Sequence, residues 1–327
     1  MEDFYKKILW DGYGLQLRGT SRIRTGLVCR TDQGLWELKK SRGHKENLYF
    51  AFDVKEQLRK NGFTQIGRFY PTQEGEPFYQ QDGVLYTLED VMPAEALAED
   101  CAASFIRGAE ALGQMHAAAK GLKSTYAQWD REKLPKRYAK RRSGLAKIKK
   151  RSEKNGTYDA IDLLLLQYYG LYMEQTAEAE ELLKRGGYAQ AVEQAEQTGA
   201  FCHGAYKGES LRLLQDGSLC IGGFDQCEAE LPLADLAAYL KRYMKKTDGQ
   251  TEGVTVMLHA FEKHYPLSEK DILLLQGMLL YPEKFLRLIN EYYNRRRACI
   301  SPAMEERLQA AAQDHSGWKL KGILSSL

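Results

Sequence analysis

His203-Gly204-Ala205-Tyr206-Lys207-Gly208-Glu209-Ser210, a turn at Asp216-Gly217, and then Ile221-Gly222-Gly223-Phe224-Asp225 decide how this chain is read. The stretch from 200 to 228 is irregular and strand-like and stands between helical segments. Its chemistry is set largely by what is missing. Ala205 cannot accept a proton, Gly223 has no side chain, and Ser210 offers one neutral oxygen. Lys207 lies two residues after Ala205, and Asp225 two residues after Gly223.

Toward the N-terminus the pattern is that of strands. Leu15-Gln16-Leu17-Arg18 and Gly26-Leu27-Val28-Cys29-Arg30-Thr31 precede a polar turn, Asp32-Gln33-Gly34, and then Leu35-Trp36-Glu37-Leu38-Lys39, a hairpin signature. A helix is predicted over 45–60, stopped by Asn61-Gly62. Helical spacing gives it an inward face of Leu48, Ala51, Phe52, Lys55 and Leu58. That face has no carboxylate, because Asp53 and Glu56 lie off it. Two more short strands, 76–80 and 84–88, flank the Asp82-Gly83 turn. After Met92-Pro93 the apolar spacing becomes helical, with helices predicted over 99–120, 162–185, 233–245, 253–264, 268–280, 282–297 and 302–313. The expected fold class is α+β, with a small sheet lobe over 1–92 and a larger, mostly helical lobe over 93–327 that carries the loop 202–227.

Composition narrows the class. The 327 residues are 43% hydrophobic and 28% charged, with a formal net charge of +3, which is ordinary globular usage and too mild to imply a polyanionic partner. The N-terminus has charged residues and no apolar signal core behind them. The longest apolar run, around Leu163–Leu166, is far too short to span a bilayer. A protein made in the cytoplasm and not spanning a membrane is expected. Six cysteines at 29, 101, 202, 220, 227 and 299 lack metal spacing and are read as reduced, packed thiols.

The loop resembles the catalytic centre of aminoglycoside- and choline-kinase-like phosphotransferases, roughly H-G-D-x-x-x-x-N followed by I-D-F-D. Further segments extend the likeness. Lys39 ends a hairpin strand where that superfamily has a phosphate-contacting Lys. Leu112-Gly113-Gln114-Met115-His116-Ala117-Ala118-Ala119-Lys120-Gly121 looks like its L-A-x-x-H-x-A-S-x-G helix end. Leu231-Pro232-Leu233-Ala234-Asp235-Leu236-Ala237 resembles its D-L-A helix start. Tyr281-Pro282-Glu283-Lys284-Phe285 with Tyr292-Tyr293-Asn294 resembles the closing helices of the CotS-type family of bacterial spore-coat proteins. The likeness runs from Tyr13 to about Leu308. It implies a protein-kinase-like bilobal fold and a place in the spore coat.

The resemblance also implies what each position would do. The first Asp of the pattern takes the acceptor proton, and here it is Ala205; losing a positioned base costs roughly 10²- to 10⁴-fold. The Asn and second-motif Asp hold magnesium through oxygen, and here they are Ser210 and Gly223. A register two residues later would make Asp225 a substitute metal ligand, since i and i+2 share a face of an extended chain. The Lys39–helix carboxylate pair of an active kinase looks absent. Lys39 and Lys207 are the candidate nucleotide- or anion-binding residues, each set against a plain surface lysine. His203 and His116 are read as structural. The resulting expectation is a degenerate kinase relative, a pseudokinase, that needs no cofactor and takes ATP or another anion without magnesium. The alternative is a small-molecule phosphotransferase with a displaced acid. Other spore-coat proteins are the expected partners. The basic segment Arg131–Lys154 is read as a solvated helix face or as a dock for an acidic partner. Its few aromatics argue against nucleic acid. The 20 tyrosines are expected mainly in the core.

Overall fold

A computed structural model describes residues 2–23, 26–41, 43–93, 95–154, 156–294 and 302–326. Cys299 and the end of the helix expected over 282–297 lie outside the described residues. The N-terminal strands are β1 (Leu17–Arg22), β2 (Leu27–Thr31), β3 (Gly34–Ser41), β4 (Tyr79–Gln81) and β5 (Val84–Asp90). They form one antiparallel sheet in the order β1-β2-β3-β5-β4. The β2–β3 turn closes at Thr31 opposite Gly34, where the Thr31 hydroxyl accepts from the Gln33 N–H. A short hairpin of β6 (Leu211–Leu213) and β7 (Leu219–Ile221) lies inside the decisive stretch.

The helices are α1 (Glu2–Lys7), α2 (Lys45–Lys60), α3 (Ala102–Ala118), α4 (Lys133–Lys154), α5 (Ala160–Arg185), α6 (Tyr188–Thr198), α7 (Leu233–Lys246), α8 (Glu252–Glu262), α9 (Glu269–Leu280), α10 (Glu283–Asn294), α11 (Pro302–Ala312) and α12 (Ser316–Ser325). Helices α1, α6 and α12 lay outside the predicted elements, as did a π-helical turn at Ile8–Gly12. That turn matters, because Ile8 and Leu9 are fully buried and join Leu15, Cys29, Leu38 and Leu88 in the core behind the sheet. A run this short has no readable period. Among the described residues, no helix is long and apolar enough to cross a membrane.

The chain divides into two compact units. One comprises residues 1–129, 194–235 and 260–265, and the other 130–193, 236–259 and 266–327. The first holds the whole sheet, α2, α3 and the stretch from 200 to 228. Within it, α3 buries Phe105, Ala109, Leu112 and Met115. Gly113 sits where a Cβ would lie 2.4 Å from the Phe261 carbonyl oxygen, so only glycine allows that approach. In the second unit α5 starts with a reciprocal cap, Asp159 accepting from Ile161 and Asp162 N–H and Asp162 accepting from Asp159 N–H. Its Tyr172 stacks on Phe285 at 3.8 Å between ring centres and donates to the Ala311 carbonyl at 2.8 Å. Buried tyrosines recur in both units (Tyr13, Tyr138, Tyr188, Tyr239, Tyr281), so the core takes up much of this residue.

Substituting Gly113→Ala forces backbone apart in a packed core and should cost about 1–3 kcal/mol. Urea unfolding followed by circular dichroism will show this as a lower midpoint with the slope unchanged.

Candidate functional site

The decisive stretch is held by one buried carboxylate. Asp235, at the start of α7, accepts from the backbone N–H groups of His203 (2.6 Å) and Gly204 (2.9 Å). The His116 Nε2 lies 3.2 Å from the same carboxylate. Burial alone would raise the Asp235 pKa, but His116 and His203 reverse this and hold it below the usual carboxylate range. His203 is fully buried, and burial pushes its pKa down. Its neutral ring donates from Nε2 to the Gly222 carbonyl (3.0 Å) and accepts at Nδ1 from the Ala205 N–H (3.3 Å). His203 thus acts on the loop backbone directly, whereas His116 acts on it only through the Asp235 carboxylate. Gly204 has φ +72°, and a Cβ there would lie 2.5 Å from the Gln226 carbonyl oxygen.

The loop closes on itself after Ala205. The Ser210 hydroxyl accepts from Lys207 N–H (3.0 Å) and donates to the Lys207 (2.7 Å) and Ala205 (3.1 Å) carbonyls. Glu99 accepts from the Gly208 N–H at 2.7 Å. The oxygen of Ser210 is thus already engaged within the loop. Gly223 is left-handed at φ +80°, and a Cβ built there meets only Ser210 Cβ at 3.6 Å and His203 Cε1 at 3.9 Å. Space for a side chain exists at that position and is unused. The Asp225 carboxylate is exposed and accepts from the Gln226 side-chain amide (3.1 Å). Gly223 thus offers no ligand oxygen and Ser210 a committed one, while Asp225 and Glu209 are exposed carboxylates lining one cavity.

A cavity of about 190 Å³ lies within this unit, lined by Lys39, Glu89, Ser210, Arg212, Gly223 and Asp225 among others. Lys39 is not a solvated strand end: its side chain is only 20% exposed. Lys207 stands exposed on the loop, outside the residues that line the cavity.

The acids around Lys39 come from the sheet and not from the helix. Antiparallel pairing places Glu37 directly opposite Glu89, two like charges that repel unless cations intervene. Lys39 shares the face of Glu37 and reaches Glu37 at 3.6 Å and Glu89 at 3.3 Å. The second cation comes from α2, whose Lys55 is 2% exposed and lies 2.9 Å from Glu89. Lys55 also sits 3.8 Å from the centre of the Phe69 ring, a cation–π contact. The inward face of α2 does lack a carboxylate, as predicted, with Phe52 only half-buried and Val54 buried in addition. Lys39 is nevertheless paired, because the acids come from the sheet and the helix contributes a lysine. Burial would raise the Glu89 pKa, but Lys39 and Lys55 overcome it and hold the carboxyl at about 2. Burial works against the Lys39 charge, yet Glu89 and Glu37 keep its pKa above the ordinary lysine value. Burial pushes Lys55 down, with Lys39 adding and Glu89 opposing. The sequence signals for this cluster were strand alternation at Glu37 and Glu89 and the helical spacing that puts Lys55 on the inward face of α2. Cys202, Cys220 and Cys227 are free, buried thiols whose pKa values burial raises.

With this geometry in view, residues 6–319 match the family described as "spore coat putative kinase YutH". The chain belongs to that family. Spore coat protein S of Bacillus subtilis (strain 168) is 23% identical over 266 residues, covering 80% of this chain and 75% of that protein. An aminoglycoside phosphotransferase from Alicyclobacillus acidocaldarius superposes with a TM-score of 0.81 at 16% identity, over 96% of this chain and 95% of the other. The amicoumacin kinase complex with AMP-PNP and Ca²⁺ gives 0.60 at 13% identity, over 97% and 93%. A choline kinase from Cryptosporidium parvum gives 0.55 at 11%, over 100% and 97%. The YutH-family chain therefore has the kinase-like bilobal α+β fold, with a small antiparallel sheet and a mostly helical remainder.

The Glu89 pKa lies below its unfolded value, so its stabilisation is complete above about pH 4.5 and is lost as pH falls toward 2. Roughly 3 kcal/mol is at stake. Glu89→Gln should be less stable than the parent at pH 7, and the gap should close at pH 2–3 in urea titrations. Asp235→Ala leaves two backbone donors and His116 without their acceptor and should cost about 3–5 kcal/mol. A thermal scan monitored by tryptophan fluorescence will register that loss.

Proposed function

We propose that this YutH-family protein works in the spore coat as a non-catalytic kinase relative, through binding and not through phosphoryl transfer. One observation carries the reading: the loop is built and held as a kinase loop would be, yet Ala205 and Gly223 put no acid on it. Phosphoryl transfer depends on positioning and on metal-borne charge stabilisation, so losing both a base and a metal ligand acts on a single step. The balanced cluster of Glu37, Lys39, Lys55 and Glu89 supports the same reading, since these charges satisfy one another without a metal. Coat association rests on family membership and on the likeness to spore coat protein S. The ligand reading is ATP or another anion bound without magnesium, with Lys39 in the lining of the small cavity and Lys207 on the exposed loop outside that lining as its candidate contacts. Other coat proteins are the proposed partners. Helix α4 offers an acidic one Lys140, Lys147, Lys150 and Lys154, which have no ion-pair partner among the described residues.

A second reading, a small-molecule phosphotransferase with a displaced acid, is favoured by one feature: Asp225 lines the cavity with an exposed carboxylate.

A radiolabelled-ATP turnover assay with magnesium separates the two. The expected result is no turnover above buffer in the parent or in Asp225→Ala. Turnover in the parent that disappears in Asp225→Ala would establish the second reading instead. Gly223 has room for a side chain, so Ala205→Asp/Gly223→Asp should fold with a cost of about 1 kcal/mol from the left-handed backbone.

A further inference from the structure

The helical unit contains a groove unrelated to the loop. It encloses about 730 Å³, within the range of small-molecule sites, and is formed by α5, α7, α9, α10, α11 and α12. Six lysines and arginines line it against three carboxylates, a formal excess of three positive charges. Four of these cations are exposed and converge from three helices: Lys245 on α7, Lys284 and Arg287 on α10, and Lys319 on α12. Arg287 has Glu291 at 3.5 Å, whereas Lys245, Lys284 and Lys319 have no ion-pair partner among the described residues. Like charges brought together from separate helices repel, and nothing in the packing requires them there.

The carboxylates of the groove are partly committed. Asp314 accepts from the Ser316 N–H at the start of α12 (3.0 Å), and Glu283 lies 3.9 Å from Arg137. The remaining lining lysine, Lys241, is structural: it donates to the Met278 and Tyr281 carbonyls, both at 2.9 Å, and so caps the end of α9. Burial pushes its pKa down to about 8. The starts of α10 and α12 lie on its wall, and helix starts favour anions.

We propose that this groove binds a compact polyvalent anion, a phosphorylated or polycarboxylate small molecule, through Lys245, Lys284, Arg287 and Lys319. The site is separate from the kinase-like loop and independent of whether that loop turns over ATP.

Calorimetric titration of the full chain with tripolyphosphate and, separately, with citrate tests this at physiological ionic strength. One-to-one saturable binding of either probe is expected; the one that binds identifies the phosphate or carboxylate class. Lys245→Glu/Lys319→Glu should weaken it by at least roughly tenfold, and Lys284→Gln by less. Lys147→Glu on the basic helix α4 should leave it unchanged. All three variants alter exposed side chains, and matching thermal unfolding will show that they are folded. No saturable binding of either probe overturns the proposal. So does an equal loss in Lys147→Glu, which would assign the anion to α4.

Discussion

One buried carboxylate sets the form of the loop. Asp235 takes the N–H groups of His203 and Gly204, and His116 lies against it. A buried acid with fewer partners would protonate or destabilise the fold. With these partners it stays charged and dictates the backbone path from 203 to 205. His203 continues the chain of constraints to Gly222 and to the Ala205 N–H. The backbone path of the loop therefore rests on one buried acid and two buried histidines. None of these contacts involves a side chain at 205 or 223.

The second constraint lies in the sheet. Pairing β3 with β5 sets Glu37 against Glu89, and two lysines answer them. One comes from the same strand, two residues on. The other, Lys55, comes from α2 and is almost wholly buried. A lysine so placed ties α2 to the sheet through Glu89, with Phe69 beneath the ammonium. This tie has the opposite polarity to the lysine-to-helix-glutamate pair of an active kinase. The contact of the helix with the sheet is thus made by the chain's own charges.

Much of the architecture was legible in advance. Strands β2 and β3 alternate cleanly around Asp32-Gln33, and α2, α5, α9 and α11 have caps or apolar spacing that mark them within a few residues. The elements that escaped are those without a period or those that depend on a neighbour. The turn at Ile8–Gly12 is too short to show one, and α12 shows no clear stripe. Residues 188–198 pack as a helix from a run of small and polar side chains. At the site, the histidines were read correctly as structural. Asp235 was visible only as the start of a helix, because nothing local tells that its carboxylate turns toward residues more than thirty positions earlier.

The sequence by itself determined which functional groups exist along the loop: no acid at 205, none at 223, a hydroxyl at 210, an acid at 225. Those are facts of covalent structure and need no fold. Tertiary structure alone decided where the charges meet. Glu37, Lys39, Lys55 and Glu89 come from three elements, and their balance depends on strand pairing and helix packing. The reason is physical: a charge interacts by distance through space, and the chain brings residues 39, 55 and 89 together only when its apolar faces are buried.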